Sequence, residues 1–206
     1  MPTSTSTRTS ARERLLAAAD ELFYAEGVHT VGIDRVIERA GVAKATLYSA
    51  FGSKDALIEA YLDRRRQTMT ERLTRQLAKY ETPRERLLGV FESQAKSFAL
   101  PGFRGCPFIN ASAEEPVGGA AQEPSDAFRV ALRTILAGLA EEAGAADPER
   151  LARQLALLYD GAMIGAWMDR DPAAGAAARE MAAILIDAAV TGQRRGGAKR
   201  KDSRSA

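Results

Sequence analysis

The segment GVAKATLY, residues 41–48, decides the fold class of this chain of 206 residues. Its glycine separates two short stretches, residues 30–40 and 43–51, whose apolar residues recur at helical spacing. Two short helices joined by a tight turn that contains glycine predict a helix-turn-helix. Helical spacing alone leaves a second interpretation open, because such a unit can also be a plain packing element of a helical protein.

The second of these helices leaves a distinctive set of side chains on its outer face. Once its apolar residues turn toward a small core, the rest comprise one positive charge, small side chains and hydroxyl groups. Small residues allow close approach to a DNA major groove, and a lysine or threonine there can reach base edges or phosphates. The residues of this outer face are Lys44, Ala45, Thr46, Tyr48 and Ser49.

The flanking sequence supplies helix boundaries on both sides. Ser10 and Glu13 form the pattern of a capping box, and Gly27 is placed to end the first helix. Thr30 is placed to cap the second helix, and Ser53 to cap a long fourth helix. The predicted core of the first three helices comprises Phe23, Ile33, Val36, Ile37, Val42, Leu47 and Phe51.

The rest of the chain also predicts helices and no strand. The composition is 46% apolar but only 6% aromatic, and its frequent alanines favour helices over strands. Prolines and capping residues divide the chain, and Ser125 is placed to cap one of the later helices. The predicted helices after the third cover about residues 54–80, 83–99, 108–115, 125–143, 148–168 and 172–192. The fold class is therefore predicted to be all-α.

The net charge of +2 combines three regions of unlike sign. Residues 1–79 carry a net charge of +3, residues 80–192 carry −6, and residues 193–206 carry +5. A polyanionic partner is therefore expected to meet the two ends of the chain. The tail cannot bury apolar area and is expected to be disordered. The tail either adds affinity for DNA or is a solvated end without a function, and both interpretations remain open.

A single cysteine and a single histidine exclude several classes of site. No disulfide can form within one chain, and no zinc site of the His/Cys type can be assembled, so no cofactor or metal is expected. His29 is interpreted as a surface residue of the linker after the first helix, near DNA phosphate, and not as a metal ligand. No apolar run approaches the length of a membrane span, and no signal-peptide core is present, so we expect a cytoplasmic protein.

The segment 41–48, followed by Phe51, Ser53, Lys54 and Leu57, closely resembles the recognition-helix signature of the tetracycline-repressor (TetR) family of transcriptional regulators. The resemblance continues upstream and covers about the first quarter of the chain, whereas the remainder matches the family only in length, helix count and helix order. The upstream residues that carry it are Ala18, Phe23, Gly27 and the stretch from Ile33 to Ala40.

This resemblance implies an all-α fold of about nine helices. An N-terminal three-helix helix-turn-helix DNA-binding domain would precede a C-terminal helical domain for ligand binding and dimerisation. The implied division is a disordered arm at residues 1–9, the DNA-binding domain at 10–53, the effector-binding and dimerisation domain at 54–192, and a disordered basic tail at 193–206.

Carried onto this chain, the resemblance also implies which residues contact DNA. Tyr48 and Lys54 would meet phosphates, whereas residues 44–46 would lie nearest the bases. Two alanines depart from the family pattern, because Ala43 replaces a frequent Ser or Thr cap and Ala45 a frequent glycine. The implied DNA-binding set, with its further phosphate candidate Thr30, is Thr30, Lys44, Ala45, Thr46, Tyr48, Ser49 and Lys54.

The C-terminal domain would bind a small effector. On this pattern, effector binding shifts the helix that begins at Lys54 and changes the separation of the two DNA-binding heads. Large side chains around a space are needed for a pocket, but such clusters are more often core. The candidate effector-binding residues are Met69, Phe91, Phe98, Phe103, Phe108, Phe128, Tyr159, Met163 and Trp167.

The last two predicted helices carry small and apolar residues suited to a homodimer interface. The alternative is that these faces complete the core of the single chain. The dimer is favoured because helix-turn-helix proteins commonly bind two half-sites and because the resemblance implies it. The faces comprise Leu151, Leu155, Leu158, Ala162 and Ala166, with Gly161 and Gly165 alongside, and Met181, Ile184, Leu185 and Ala188.

Cys106 permits two interpretations. It follows an arginine by two positions and stands near a predicted helix start, two features that favour a reactive thiol and a thiol-sensing role. The plainer interpretation is a small apolar residue beneath a loop.

The function expected from these observations is a dimeric, ligand-responsive repressor that binds a palindromic double-stranded DNA operator and is released by a small-molecule effector. An enzyme on a helical scaffold is the first alternative, but the chain has no Gly-rich phosphate loop, no nucleophile elbow and no histidine cluster. A helical interaction module without DNA is the second alternative. An absence of salt-sensitive binding to any duplex would favour it.

Overall fold

A computed structural model describes residues 9–198 of the chain, with side chains for residues 9–190. All regular structure in these residues is helical, which confirms the predicted fold class. None of the helices found there is long and apolar enough to cross a membrane. Within the described residues the helices are α1 (Ala11–Glu26), α2 (Ile33–Ala40), α3 (Lys44–Phe51), α4 (Lys54–Leu77), α5 (Pro83–Phe98), α6 (Pro107–Glu114), α7 (Gln122–Glu142), α8 (Pro148–Met168) and α9 (Ala174–Ala198).

The helices form two compact units. Among the described residues, the first comprises residues 9–66 together with residues 107–125, and the second comprises residues 67–106 and 126–198. The first unit thus extends beyond the expected boundary at residue 53, because the first turns of α4 belong to its core. Leu57 and Tyr61 of these turns are fully buried, and the Tyr61 ring meets that of Phe23 edge-on at 5.6 Å.

Helix α1 begins and ends where the sequence predicts. The Ser10 hydroxyl accepts a hydrogen bond from the Glu13 N–H at 3.1 Å, and the Glu13 carboxylate accepts one from the Ser10 N–H at 3.3 Å. Gly27 ends the helix with a φ of 102°. A Cβ at this position would also lie 2.6 Å from the Glu114 carboxylate, but that flexible side chain can move, so the backbone conformation is what requires glycine.

Two predicted helix caps are wrong. Helix α2 has Gly32 as its N-cap, and Thr30 lies in the turn before it. Helix α7 starts at Gln122 and not after Ser125, because the first turn of a helix accommodates Pro124, whose missing N–H would have had no helical partner there. Ser125 is instead buried within α7, and its hydroxyl oxygen lies 3.0 Å from that of Ser112.

The second unit is built around α5, α8 and α9, which pack against one another. Helix α9 approaches α5 so closely that a Cβ on Gly175 would lie 2.5 Å from the Ala95 Cβ. Glycine at this position is therefore what permits the observed distance between the two helices. Asp147 caps α8, with its carboxylate accepting a hydrogen bond from the Arg150 N–H at 2.9 Å.

Part of the α8 face that the sequence suggests for dimerisation packs inside the protomer, whereas Leu158 and Gly165 of this face are half-buried and Gly161 is exposed. The buried part completes the monomer core, as the alternative interpretation held for the whole face. Its buried members are Leu151, Leu155, Ala162 and Ala166. On α9, by contrast, Met181 and Ile184 of the predicted face are exposed.

Helix α9 extends through Ala198, past the end at Gly192 that the sequence predicts. The start of the basic tail is therefore helical and not disordered, because Gln193, Arg194 and Arg195 have good helix propensity and no proline interrupts them. The remainder of the predicted tail, residues 199–206, lies outside the described residues. The same holds for residues 1–8 of the predicted N-terminal arm.

Candidate DNA-binding site and ligand pocket

Gly41 makes the turn between α2 and α3. Its φ of 62° and ψ of 46° are left-handed, a conformation that costs residues with a Cβ about 1–2 kcal/mol. The Gly41 N–H donates to the Glu38 carbonyl at 3.1 Å, and the Val42 N–H donates to the Ile37 carbonyl at 3.3 Å. These bonds satisfy the last carbonyls of α2, so the chain can leave one helix and enter the next within a few residues.

Two arginines of α2 form ion pairs with α1. Arg35 lies 2.6 Å from the Glu26 carboxylate, and Arg39 lies 2.7 Å from that of Glu21. The hydrogen bond from Arg35 lowers the pKa of Glu26. Exposed pairs of this kind contribute little to stability, but both arginines engage their carboxylate through two nitrogens, which fixes the orientation of α2 on α1.

The orientation of α3 is set by Leu47, whose side chain is fully buried. Of the other residues predicted to contact DNA from this helix, Thr46 is partly buried and the rest are exposed. The structure therefore brings the predicted contacts of α3 together on one short helix with its apolar side turned inward. The exposed members are Lys44, Ala45, Tyr48 and Ser49.

Lys44 has a partner that the sequence reasoning missed. Its Nζ lies 3.0 Å from Oδ1 of Asp34 on α2, and both side chains are largely exposed. The hydrogen bond and charge of Asp34 raise the pKa of Lys44, so the ammonium stays charged. A spacing of ten residues across a turn is not a helical pattern, so only the packing of α2 on α3 reveals this pair.

The start of α4 carries the last of the predicted DNA contacts. Ser53 caps the helix as predicted, with its hydroxyl accepting a hydrogen bond from the Ala56 N–H at 3.0 Å. Lys54 is partly buried, and its Nζ lies 3.5 Å from the His29 carbonyl oxygen. Lys54 thus lies beside the linker that carries His29 and the exposed Thr30.

His29 is exposed in this linker, and its neighbours are carboxylates at the end of α6. The His29 N–H donates to Glu114 at 2.9 Å, and its Nε2 lies 3.7 Å from the Glu115 carboxylate. No group of three or more His, Cys, Asp or Glu side chains within residues 9–190 is arranged to hold a metal ion. The arrangement ties the linker to α6 within the first unit.

The second unit contains a pocket of about 600 Å³, counting the part open to solvent. Residues of α4, α5, α7 and α8 line it. Of the predicted effector-binding residues, Met69, Phe128 and Tyr159 are among them. The pocket wall is largely apolar, and its aliphatic and aromatic residues other than Tyr159 are Met69, Leu73, Val90, Phe128, Ala131, Leu132 and Ile135.

The other predicted effector-binding residues lie elsewhere. Phe91, Phe98, Phe108 and Met163 are buried in the protein interior, where large apolar side chains find the most contacts. The Phe103 ring packs against that of Phe98 at 5.2 Å. Trp167 is 46% exposed and covers Gly105, at which a Cβ would lie 3.4 Å from the indole.

Apart from Tyr159, the polar residues of the pocket are ones that the sequence reasoning missed, because it looked for large side chains. A signal for them exists, since Val90, Gln94 and Ser97 recur at the spacing of one helical face in α5. Polar residues on a helix face that is otherwise apolar indicate that this face lines a site with polar groups and does not only pack in the core. The polar lining residues are Thr70, Arg72, Ser93, Gln94, Ser97 and Tyr159.

Gln94 and Tyr159 connect α5 to α8 at the pocket wall. The Gln94 Nε2 donates to the Tyr159 backbone carbonyl at 2.7 Å, and the Phe91 ring meets the Tyr159 ring edge-on at 6.3 Å. Burial raises the pKa of Tyr159. The phenol therefore remains protonated and can donate a hydrogen bond at neutral pH.

Cys106 is buried immediately before α6. Burial limits the access of an oxidant or electrophile, whereas reactive thiols are partly exposed. The thiol-sensing role therefore stays a prediction.

Known proteins resemble this chain in sequence and in fold. A family model described as bacterial regulatory proteins of the tetR family matches residues 15–61. A crystal structure of a TetR-family transcriptional regulator from Streptomyces coelicolor has a TM-score of 0.77 and 34% sequence identity, and the match covers 88% of this chain and 94% of that chain. The similarity thus reaches well beyond the helix-turn-helix.

Two curated relatives match over shorter stretches. The HTH-type transcriptional activator FasR of Mycolicibacterium smegmatis is 36% identical over 86 residues, which cover 42% of this chain and 39% of FasR. The HTH-type transcriptional repressor NemR of Escherichia coli is 32% identical over 105 residues, which cover 50% of this chain and 53% of NemR. These matches span about half of each relative or less, and the two names describe opposite effects on transcription.

Proposed function

This protein belongs to the TetR family of transcriptional regulators, and from this premise we propose that it is a repressor that binds a palindromic operator as a homodimer and leaves it when a small effector binds. As a member of this family it regulates transcription and is not an enzyme. We place its action in the cytoplasm, in contact with the chromosome.

The outward face of α3 is the observation that supports DNA binding most directly. Leu47 and the Gly41 turn hold this short helix so that Lys44 and Tyr48 remain exposed. Lysine and small residues suit the major groove, and a tyrosine hydroxyl suits a phosphate. At the start of α4, backbone N–H groups and the charge of Lys54 suit a second phosphate.

Selection of bound fragments from a genomic DNA pool will identify the operator. The double substitution of Lys44→Ala and Tyr48→Ala should then abolish specific binding in a mobility-shift assay, while circular dichroism and the oligomeric state stay unchanged. Lys79→Ala is the matched control, because Lys79 is an exposed lysine of the turn after α4. Normal binding by the double variant would mean that the DNA-contacting helix is misassigned.

The proposed homodimer uses exposed apolar stripes on the last two helices. Leu157 is 71% exposed, and Ile164 and Met168 follow on the same side of α8 at intervals of seven and eleven residues. Met181 and Ile184 are exposed on α9, which packs against α8. The α8 residues differ from those that the sequence suggests, whereas Met181 and Ile184 belong to the predicted α9 face. A twofold mate could cover both stripes in a four-helix interface.

The double substitution of Leu157→Glu and Ile184→Glu tests this interface. Light scattering after size exclusion should give a dimer for the wild type and a monomer for the variant. Val130→Glu is the control, because Val130 is a similarly exposed apolar residue on α7. A variant that remains dimeric would place the interface elsewhere.

Helix α4 supports the proposed effector response, because one continuous helix carries both Lys54 and the pocket residues Met69 and Leu73. A ligand that prefers one position of this helix shifts the population of DNA-binding conformations. The pocket is mainly apolar with several polar groups, which is typical of small-molecule sites.

The repressor assignment is tested by transcription in vitro from a promoter that overlaps the selected operator. Addition of the protein should lower the transcript level, and a compound that raises the thermal stability of the protein should restore it. An increase in transcript on adding the protein would identify an activator, as the name of the relative FasR describes for that protein.

A further inference from the structure

Gln94, which lines the pocket, carries an acceptor for which the described residues supply no partner. The residue is only 3% exposed, and its Nε2 donates to the Tyr159 carbonyl. Because that partner is a carbonyl oxygen, the amide nitrogen must face it and the amide oxygen must face elsewhere. Among the described residues, Gln94 Oε1 is buried without a hydrogen-bond partner. A buried acceptor of this kind strongly favours a ligand group that donates a hydrogen bond.

Arg72 is the one charged residue among those that line the pocket. The neighbouring Glu71 lies 3.9 Å from Arg75, and Asp160, which follows the pocket residue Tyr159, lies 2.6 Å from Arg129. These carboxylates are therefore engaged by other arginines. Of the residues that the structure describes, no acidic one lines the pocket, so the charge of this lining is positive and suits an anionic ligand group.

Besides its polar residues, the pocket has apolar walls. Met69 and Leu73 of α4 and Phe128 and Ile135 of α7 contribute aliphatic and aromatic surface to it. Such walls favour a hydrocarbon or aromatic ligand body by removing its surface from water.

We propose that the effector is a small organic acid whose apolar body also carries a hydroxyl or N–H group, with the acid group at Arg72 and the donor at Gln94 Oε1. The inference rests on the proposed function, which makes this pocket the effector site. It specifies the chemical class of the ligand, because a neutral hydrocarbon satisfies neither polar point and an amine opposes the charge of Arg72.

Isothermal titration calorimetry of the full chain with matched probes tests whether the ligand donates a hydrogen bond to Gln94 Oε1. The first pair is 4′-hydroxybiphenyl-4-carboxylate and its 4′-methoxy analogue, which accepts a hydrogen bond but cannot donate one. The second pair is 12-hydroxydodecanoate and dodecanoate. In at least one pair the hydroxylated acid should bind roughly tenfold tighter than its partner, the ratio expected for one buried hydrogen bond. Equal affinities within both pairs, or no binding by any of the four acids, would overturn the proposal.

Substitutions test whether Gln94 accepts the ligand's hydrogen bond and whether Arg72 binds its acid group. Gln94→Met preserves volume but removes the acceptor, so it should abolish the advantage of the hydroxyl group while binding of the methoxy or deoxy acid persists. Arg72→Gln should weaken all of the acids relative to 4-hydroxybiphenyl, which lacks the carboxylate. Arg64→Gln is the matched control, because Arg64 is an exposed arginine of the same helix outside the pocket lining. If Gln94→Met does not fold, the comparison within each probe pair on the wild type decides.

Operator binding by the same preparation separates this proposal from the proposed function. A protein that binds its operator but is released only by neutral or cationic compounds overturns the ligand class and leaves the regulator intact. A folded protein that binds no DNA fragment overturns the proposed function itself. Release by the hydroxylated acid, and weaker release by its matched analogue, supports both.

Discussion

Replacement of Gly41 by alanine should destabilise the protein by about 1 kcal/mol. The left-handed backbone at this position costs an alanine about 1–2 kcal/mol, and alanine recovers about 0.4–1 kcal/mol by restricting the unfolded chain. Apart from Gly41 and its two chain neighbours, no heavy atom of the described residues lies within 4 Å of the Cβ that alanine would add. The whole cost is therefore conformational and does not depend on how neighbouring side chains rearrange.

Gly138 provides the matched control for this substitution. It lies inside α7, has no positive φ, and likewise has no atom within 4 Å of an added Cβ. Gly138→Ala should therefore stabilise the protein by about 0.4–1 kcal/mol through helix propensity and the unfolded state. Two identical chemical changes should thus move stability in opposite directions.

Urea unfolding followed by circular dichroism gives the free energy of unfolding of both variants. In thermal unfolding of a chain of this size, each kcal/mol corresponds to about 2–4 °C in Tm. Gly41→Asn should lie between wild type and Gly41→Ala, because asparagine tolerates the left-handed region better than alanine. If Gly41→Ala is as stable as the wild type, the left-handed turn is not the conformation that the protein adopts.

Three further predictions follow from single side chains. Leu47→Ala should lower the free energy of unfolding by about 2–5 kcal/mol, because the leucine is fully buried; a loss below 1 kcal/mol in urea titrations would mean that α3 is not anchored by this residue. The hydrogen bond from Tyr80, reinforced by Arg179, lowers the pKa of Glu92 below its ordinary value of 4.5, so its stabilising contribution is present above that pH and is lost as the pH falls. Glu92→Gln should therefore lose less stability than the wild type on acidification below about pH 4.5, and equal losses in the two proteins would contradict this account. Cys106→Ser should leave the response of DNA binding to oxidants unchanged because the thiol is buried, whereas loss of an oxidant response would support thiol sensing.

The DNA-binding unit could be predicted largely from the sequence because its signals are local. The capping pair Ser10 and Glu13 and the turn glycine Gly41 each act within a few residues of themselves, and both are found as expected. The prediction that Thr30 caps α2 was wrong, because Gly32, which is closer to the start of that helix, occupies the N-cap position. The Lys44 and Asp34 pair could not be foreseen, because it depends on how two helices pack.

The pocket could be predicted only in part because a cavity is defined by what the core leaves empty. Large side chains such as Phe91 and Phe108 are the ones that the interior buries most completely, so a search for them finds the core first. Gln94, by contrast, is polar and yet buried. A buried amide needs a polar partner, and which group supplies that partner depends on how the helices pack. The position of α9 against α5 likewise depends on the absence of a Cβ at Gly175.

The ion pair between Lys44 and Asp34 has a consequence for how the protein searches the chromosome. In the free protein, the aspartate occupies the ammonium group that a phosphate would otherwise attract, so this part of the surface is close to neutral. If Lys44 contacts the operator as proposed, random DNA would gain little by displacing the aspartate, whereas a base sequence that offers Lys44 a better acceptor would gain more. Asp34 would then be a determinant of the ratio between specific and random binding.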